Sequence, residues 1–225
     1  LNGAGMIADA KIRYQSMSWL SSNDGATWDN GYIIGHPGFW LWRVQWHNNL
    51  AYTFGYSTER DRTTRRLRLY TSQTGSQFDT HVQQLTAPAG CGEDAILFLK
   101  DGTALCLLRH ETGTKMAQLG RSVAPYTKWV WQDLNLRIGG PNMLQLSDGR
   151  IIAVTRLYNG GTRTSLSWLD PHRGTLTEVL KLPSGGDTSY PGLVMHNGLL
   201  WISYYSSHER KTSIYLAKVR IPNDK

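Results

Sequence analysis

The sequence predicts an all-β chain folded as a β-propeller of four-stranded antiparallel blades, on three observations. A tight-turn motif recurs at a blade-sized period, runs of strand composition flank every turn, and helical periodicity and capping patterns are missing over any useful length. The turns are His47-Asn48-Asn49-Leu50, Lys100-Asp101-Gly102-Thr103, Ser147-Asp148-Gly149-Arg150 and His196-Asn197-Gly198-Leu199. Asn-Gly and Asp-Gly pairs favour two-residue hairpins because both turn positions take φ > 0. The third positions 49, 102, 149 and 198 are spaced by 53, 47 and 49 residues.

Each element of the repeat has its own sequence warrant. First and second strands are the apolar runs on either side of a turn, as in 95–100 and 103–109, or 192–196 and 199–205. Third strands follow about fifteen residues later, at 65–72, 117–123, 164–170 and 212–221, with 16–22 as the same element one period earlier. Fourth strands are weaker, at 81–85, 129–134 and 176–182. The resulting division of the single propeller domain is a partial blade over 1–35 and blades over 36–86, 87–136, 137–183 and 184–225. Four and a half blades leave open edges, so the count reads as part of a six-bladed ring.

Ser21 to Trp28, SSNDGATW, matches the Asp-box pattern S-x-D-x-G-x-T-W with Asn23 in the acidic place. Thr71 to Phe78 repeats its glycine and aromatic fifty residues on. Such a box needs small polar side chains bonded to their own backbone over a packed aromatic, which is a structural role.

Composition narrows the function. Hydrophobic residues make up 40%, charged residues 18%, and the net charge is +7. That excludes a disordered chain or a coiled coil and favours an anionic partner. No apolar run is long enough for a helical membrane span. The basic run 60–68 lacks interleaved aromatics, so nucleic acid is not expected. The histidines show no ligand spacing, so no metal and no cofactor are expected. Two cysteines, Cys91 and Cys106, allow at most one bridge. The opening residues carry no signal core and leave the compartment open.

Propellers place function at the channel mouth, on inner-strand ends and loops. Glu93 precedes an inner strand, Arg109 ends the strand after it, Arg163 opens a strand after a Gly-Gly loop, and Tyr190 precedes the last inner strand. Arg43 and His47 lie on an inner strand with alternating aromatics, where they would line a pocket at the mouth. Arg137 and Arg156 are alternative carboxylate contacts, and His208 and Glu209 read as a solvated hairpin.

Together these positions resemble the sialidase superfamily of Asp-box propellers. The element E-x-x-x-x-x-L-x-D-G-x-x-L-x-L-x-R fits Glu93 to Arg109, G-x-R-x-x-L fits Arg163, and S-Y-x-x-L fits Tyr190. The resemblance implies an exo-sialidase-like, retaining glycoside hydrolase acting on a terminal acidic sugar, with Tyr190 as nucleophile, Glu93 as its base, and Arg109 and Arg163 as carboxylate clamp. A neutral nucleophile suits an anomeric carbon that bears a carboxylate, and the phenol needs a base because it holds its proton to about pH 10. The family's first arginine and its acid/base aspartate have no match here. Asp9 is the one early carboxylate near a loop, and without a donor the chain is expected to be impaired or inactive. A uronate-cleaving propeller lyase and a non-catalytic lectin-like propeller are the alternatives.

Overall fold

The computed structural model describes residues 2–7, 15–85 and 90–222. Asp9, weighed above as the acid, lies outside them. The order of elements is β1 (Asn2–Ile7), β2 (Gln15–Leu20), β3 (Tyr32–Ile34), β4 (Phe39–Leu41), β5 (Gln45–His47), β6 (Leu50–Ser57), a 3-10 turn (Arg62–Thr64), β7 (Leu67–Ser72) and β8 (Asp79–Val82). There follow β9 (Cys91–Phe98), β10 (Ala104–His110), β11 (Gln118–Ser122), β12 (Val130–Asp133), β13 (Ile138–Gln145), β14 (Ile151–Leu157), β15 (Arg163–Asp170), β16 (Thr175–Lys181), β17 (Thr188–His196), β18 (Leu199–Glu209) and β19 (Lys211–Val219).

These strands form antiparallel meanders in the order β9-β10-β11-β12, β13-β14-β15-β16 and β17-β18-β19. The fourth sheet runs β1-β2-β4-β6-β7-β8, with β3 on β2 and β5 on β6. Its two parts join through one parallel pair, Gln15 with Phe39. The hairpin turns fall where the Asn and Asp-Gly pairs put them, with Asn48, Asn49, Asn197, Gly102, Gly149 and Gly198 all at positive φ.

Sheets pack face to face through three apolar seams. One joins Phe54, Leu67 and Leu69 to Ile96, Cys106 and Leu108. The next sets Ala95, Leu105 and Leu107 against Ile138, Ile151 and Ala153, and the third sets Ile152, Val154 and Leu166 against Leu200, Ile202 and Tyr204. Strand alternation explains the arrangement, since Leu105 and Leu107 face one neighbour while Cys106 and Leu108 face the other. Each fully buried leucine contributes about 1.5–3 kcal/mol. Phe54, wholly buried and edge-on to Trp129 at 5.1 Å between ring centres, is the residue whose truncation to alanine hurts the first seam most, by about 3–5 kcal/mol. Cys91 and Cys106 are buried free thiols.

The box turns are bonded within themselves. The Ser21 hydroxyl accepts from the Gly25 amide at 2.8 Å, and Asn23 Oδ1 from Thr27 at 2.9 Å. Of the two aromatics expected to pack beneath them, Phe78 is buried but Trp28 is 45% exposed.

Candidate active site

Each of the last three inner strands breaks its ladder at one level. The pairing shifts between Leu108 and His110 in β9/β10, between Gly139 and Asn142 in β13/β14, and between Ser189 and Gly192 in β17/β18. In each case two residues oppose one: Gly92-Glu93, Gly140-Pro141 and Tyr190-Pro191. Their residue types suit a bulge, because proline cannot donate to the ladder and glycine accepts positive φ. Gly140 has φ 47° and Tyr190, unusually for a side chain of that bulk, φ 54°. Together the bulges form a polar collar at the end of the strands remote from the hairpin turns.

The collar brings Glu93 and Tyr190 together from 97 residues apart. The Tyr190 hydroxyl donates to Glu93 Oε1 at 3.0 Å, and Arg109 Nη1 donates to Glu93 Oε2 at 2.5 Å. Arg109 also pairs with Glu111, which takes Arg62 Nη1 at 2.6 Å, so charges of alternating sign run outward from the phenol. Glu93 is buried, whereas Tyr190 is 40% exposed and faces the mouth. Burial and then the Glu93 anion push the Tyr190 phenol up to about 12, against the pull of Arg109 and Arg156. Burial works against the Arg109 cation, but Glu93, Tyr158 and Glu111 more than offset it and hold its pKa above the ordinary value. The Tyr190 phenol therefore keeps its proton at neutral pH and donates it in the hydrogen bond to Glu93.

Arg163 is turned elsewhere. Its guanidinium grips Glu178 with two bonds, Nε to Oε1 at 2.7 Å and Nη2 to Oε2 at 2.5 Å, and it also donates to the Asn159 carbonyl. It opens the third strand of its sheet, two strand spacings or about 9–10 Å outward from the inner strand. The arginine of that sheet at the collar is Arg156, on the second strand opposite Gly139. Arg156 Nε donates to the Thr188 carbonyl at 2.5 Å, and Nη2 to the Tyr205 hydroxyl at 2.7 Å and to Asp187 Oδ1 at 2.9 Å. The Tyr205 ring centre lies 5.5 Å from that of Tyr190. Arg137 stacks on Tyr158 at 4.1 Å, and the Tyr158 phenol is in turn electrostatically coupled to Arg109 and Arg156.

Arg43 and His47, the two remaining expectations for the sugar pocket, stand at opposite ends of the strands. Arg43 reaches the collar, but as a clamp on backbone: Nε donates to the Pro141 carbonyl at 3.0 Å and Nη2 to the Pro191 carbonyl at 2.8 Å. Its preceding neighbour Trp42 packs edge-on against Tyr190 at 5.0 Å between centres. His47 stacks on Phe98 at 4.2 Å. Phe98 is five residues, or about 16 Å, along β9 from Glu93, so His47 belongs to the hairpin-turn end. His208 and Glu209 do close the β18/β19 hairpin.

Several collar residues escape a reading of motifs: Trp42, Asp94, Glu111, Asn142, Tyr158, Asp187 and Tyr205. Asp94 is fully buried with no hydrogen-bond partner on either oxygen among the described residues, and burial raises its pKa well above the usual range despite the attraction of Arg43. Period alone would have found Arg156, which follows Arg109 by the same 47 residues that separate Gly102 from Gly149.

No family model matches the chain, and no curated protein matches its sequence. Solved structures match it across the fold at low identity. A protein of unknown function from Dyadobacter fermentans has a TM-score of 0.79 at 14% identity, over 97% of this chain and 67% of that one. A GH43 β-xylosidase/α-arabinofuranosidase from a compost microbial metagenome gives 0.64 at 11%, over 91% and 79%. An exo-β-1,3-galactanase from Phanerochaete chrysosporium gives 0.60 at 14%, over 79% of this chain and 46% of that one. The fold is a β-propeller. In this propeller the bulged collar lies at one mouth of the axis and the hairpin turns at the other.

Proposed function

We propose that this propeller is a glycoside hydrolase of the sialidase type, cleaving a terminal acidic sugar with retention of anomeric configuration. The observation that carries the reading is the 3.0 Å hydrogen bond from the Tyr190 hydroxyl to Glu93 in the exposed collar. Glu93 takes the phenolic proton as the Tyr190 oxygen attacks the anomeric carbon and the glycosidic bond breaks. The departing oxygen takes a proton from solvent at the open mouth. Water then attacks the glycosyl-tyrosine carbon, its proton passes to solvent, and the phenolate recovers its own proton from Glu93. A neutral phenol is not repelled by a carboxylate on the reacting carbon, and Arg109, Arg156 and Arg137 surround the Tyr158 phenol as anchors for that carboxylate. Propeller structures named for glycosidase activities, the xylosidase and the galactanase above, support the general class.

A fluorogenic aryl sialoside is the substrate of choice for a test, because its leaving group departs with little help from an acid. Release of free sugar by the wild type, lost in Tyr190→Phe, is the expected result, with NMR of the first-formed anomer reporting retention. Cleavage of aryl xyloside or galactoside with no turnover of the sialoside would refute the acidic-sugar assignment. An unsaturated uronate released from a polyuronate, or saturable binding of the sialoside with no product, would refute the hydrolase itself.

A further inference from the structure

The Tyr190 phenol is only as well placed as the bulge that carries it. Tyr190 and Pro191 both lie outside the β17/β18 ladder, and Tyr190 sits at φ 54°, a left-handed conformation that is strained for a non-glycine residue. What holds this dipeptide is contact from elsewhere in the ring. The Pro191 carbonyl accepts two bonds, from Arg43 Nη2 at 2.8 Å and from Asn142 Nδ2 at 2.9 Å. Arg43 Nε binds the Pro141 carbonyl, which stands at the same bulge position fifty residues earlier. One guanidinium therefore ties together two neighbouring bulges from sequence distances of 98 and 148 residues. Gly140 leaves the space in which the Tyr190 ring lies, since a Cβ there would meet the ring at 2.4 Å. Trp42 packs edge-on against the same ring, 5.0 Å between centres.

Among the described residues, no acid is hydrogen-bonded to Arg43. The acid whose charge acts on it is Asp94, whose carboxyl oxygens have no hydrogen-bond partner among those residues. The guanidinium is directed at carbonyls, in a planar fork that fits two acceptors at once.

We infer that Arg43 is a positioning residue, whose two-carbonyl clamp on Pro141 and Pro191 fixes the Tyr190 bulge and so sets the phenolic oxygen against Glu93. The inference deepens the Tyr190 reading and rests on it for its catalytic consequence, but the clamp itself is measurable without turnover.

The test compares wild type, Arg43→Met and Arg43→Lys by hydrogen exchange with mass spectrometry and by kinetics on the aryl sialoside. In Arg43→Met, exchange within 188–194 should rise by about tenfold or more while β10 and β14 keep their protection. Its kcat should fall about 10²-fold with KM changed less than threefold, as expected for a reacting group displaced by about 1 Å. Arg43→Lys, which reaches one carbonyl, should recover part of both. Unchanged exchange at 188–194 in Arg43→Met overturns the clamp. Loss of protection across all sheets in both variants also overturns it, because it assigns Arg43 to stability of the fold at large. Should wild type itself leave the sialoside uncut, the functional reading falls while the exchange measurement still decides the clamp.

Discussion

The two ends of each inner strand have been built for different work. At the hairpin end, β9 finishes at Phe98 in a regular ladder, where His47 stacks on Phe98, Tyr52 and Tyr126 pack tilted and edge-on against it, and the Tyr126 hydroxyl donates to the Gly102 carbonyl at 3.0 Å. At the collar, five residues away, the ladder is broken and Gly92-Glu93 stand out of it. Regular pairing gives rigidity and hides polar backbone; the bulge releases carbonyls and re-aims side chains toward the axis. One strand thus serves as scaffold at one end and as site at the other.

That contrast predicts activity losses from the collar and only stability losses from the turn end. Tyr190→Phe should reduce kcat on the aryl sialoside by more than about 10³-fold while leaving the melting temperature within a few degrees. Retained turnover would put the chemistry on another residue. Glu93→Gln should cost about 10²–10⁴ in kcat. Turnover within about tenfold of wild type would move the base elsewhere. His47→Ala belongs to the other end, and its kcat should stay within about twofold of wild type. Loss of the stacked pair, worth about 0.5–1.5 kcal/mol, should lower the melting temperature by roughly 1–6 °C. A large rise in KM instead would return His47 to the sugar pocket.

The smallest effect is expected outside both ends, at the Arg163–Glu178 pair. The Arg163 hydrogen bond, with help from Ser165 and against partial burial, holds the Glu178 carboxyl down at about 2. Its folded pKa is depressed, so its contribution is present above the unfolded value near 4.5 and is lost as pH falls toward 2. Glu178→Gln should flatten the fall in melting temperature across that window. Near neutral pH the shift should be small, about 2–4 °C or less, as for other partly exposed ion pairs. An equally steep acid dependence in the variant would show that other carboxylates govern acid stability.

The period, the turns and the strands were legible in the chain because tight turns demand particular residues and blade faces demand alternation. Glu93, Arg109 and Tyr190 were legible as a set through residue type and order. What could not be read is the one-residue offset inside the bulge. Motif alignment puts Tyr190 level with Glu93, whereas strand pairing puts it level with Gly92 and puts Pro191 level with Glu93. Arg163 was preferred to Arg156 because a Gly-Gly loop precedes it. Radial distance, which a linear motif does not encode, favours the second strand over the third. The clamp of Arg43 was illegible for a related reason, since its partners are main-chain carbonyls and any sequence supplies those.

The left-handed backbone at Tyr190 has an evolutionary corollary. Gly140 holds nearly the same φ one blade earlier at no steric penalty, so glycine at 190 would relax the bulge. A screen that rewarded thermal tolerance alone would accept that exchange and remove the phenol with it. If Tyr190 is the nucleophile proposed above, position 190 is where selection for robustness and selection for chemistry pull in opposite directions.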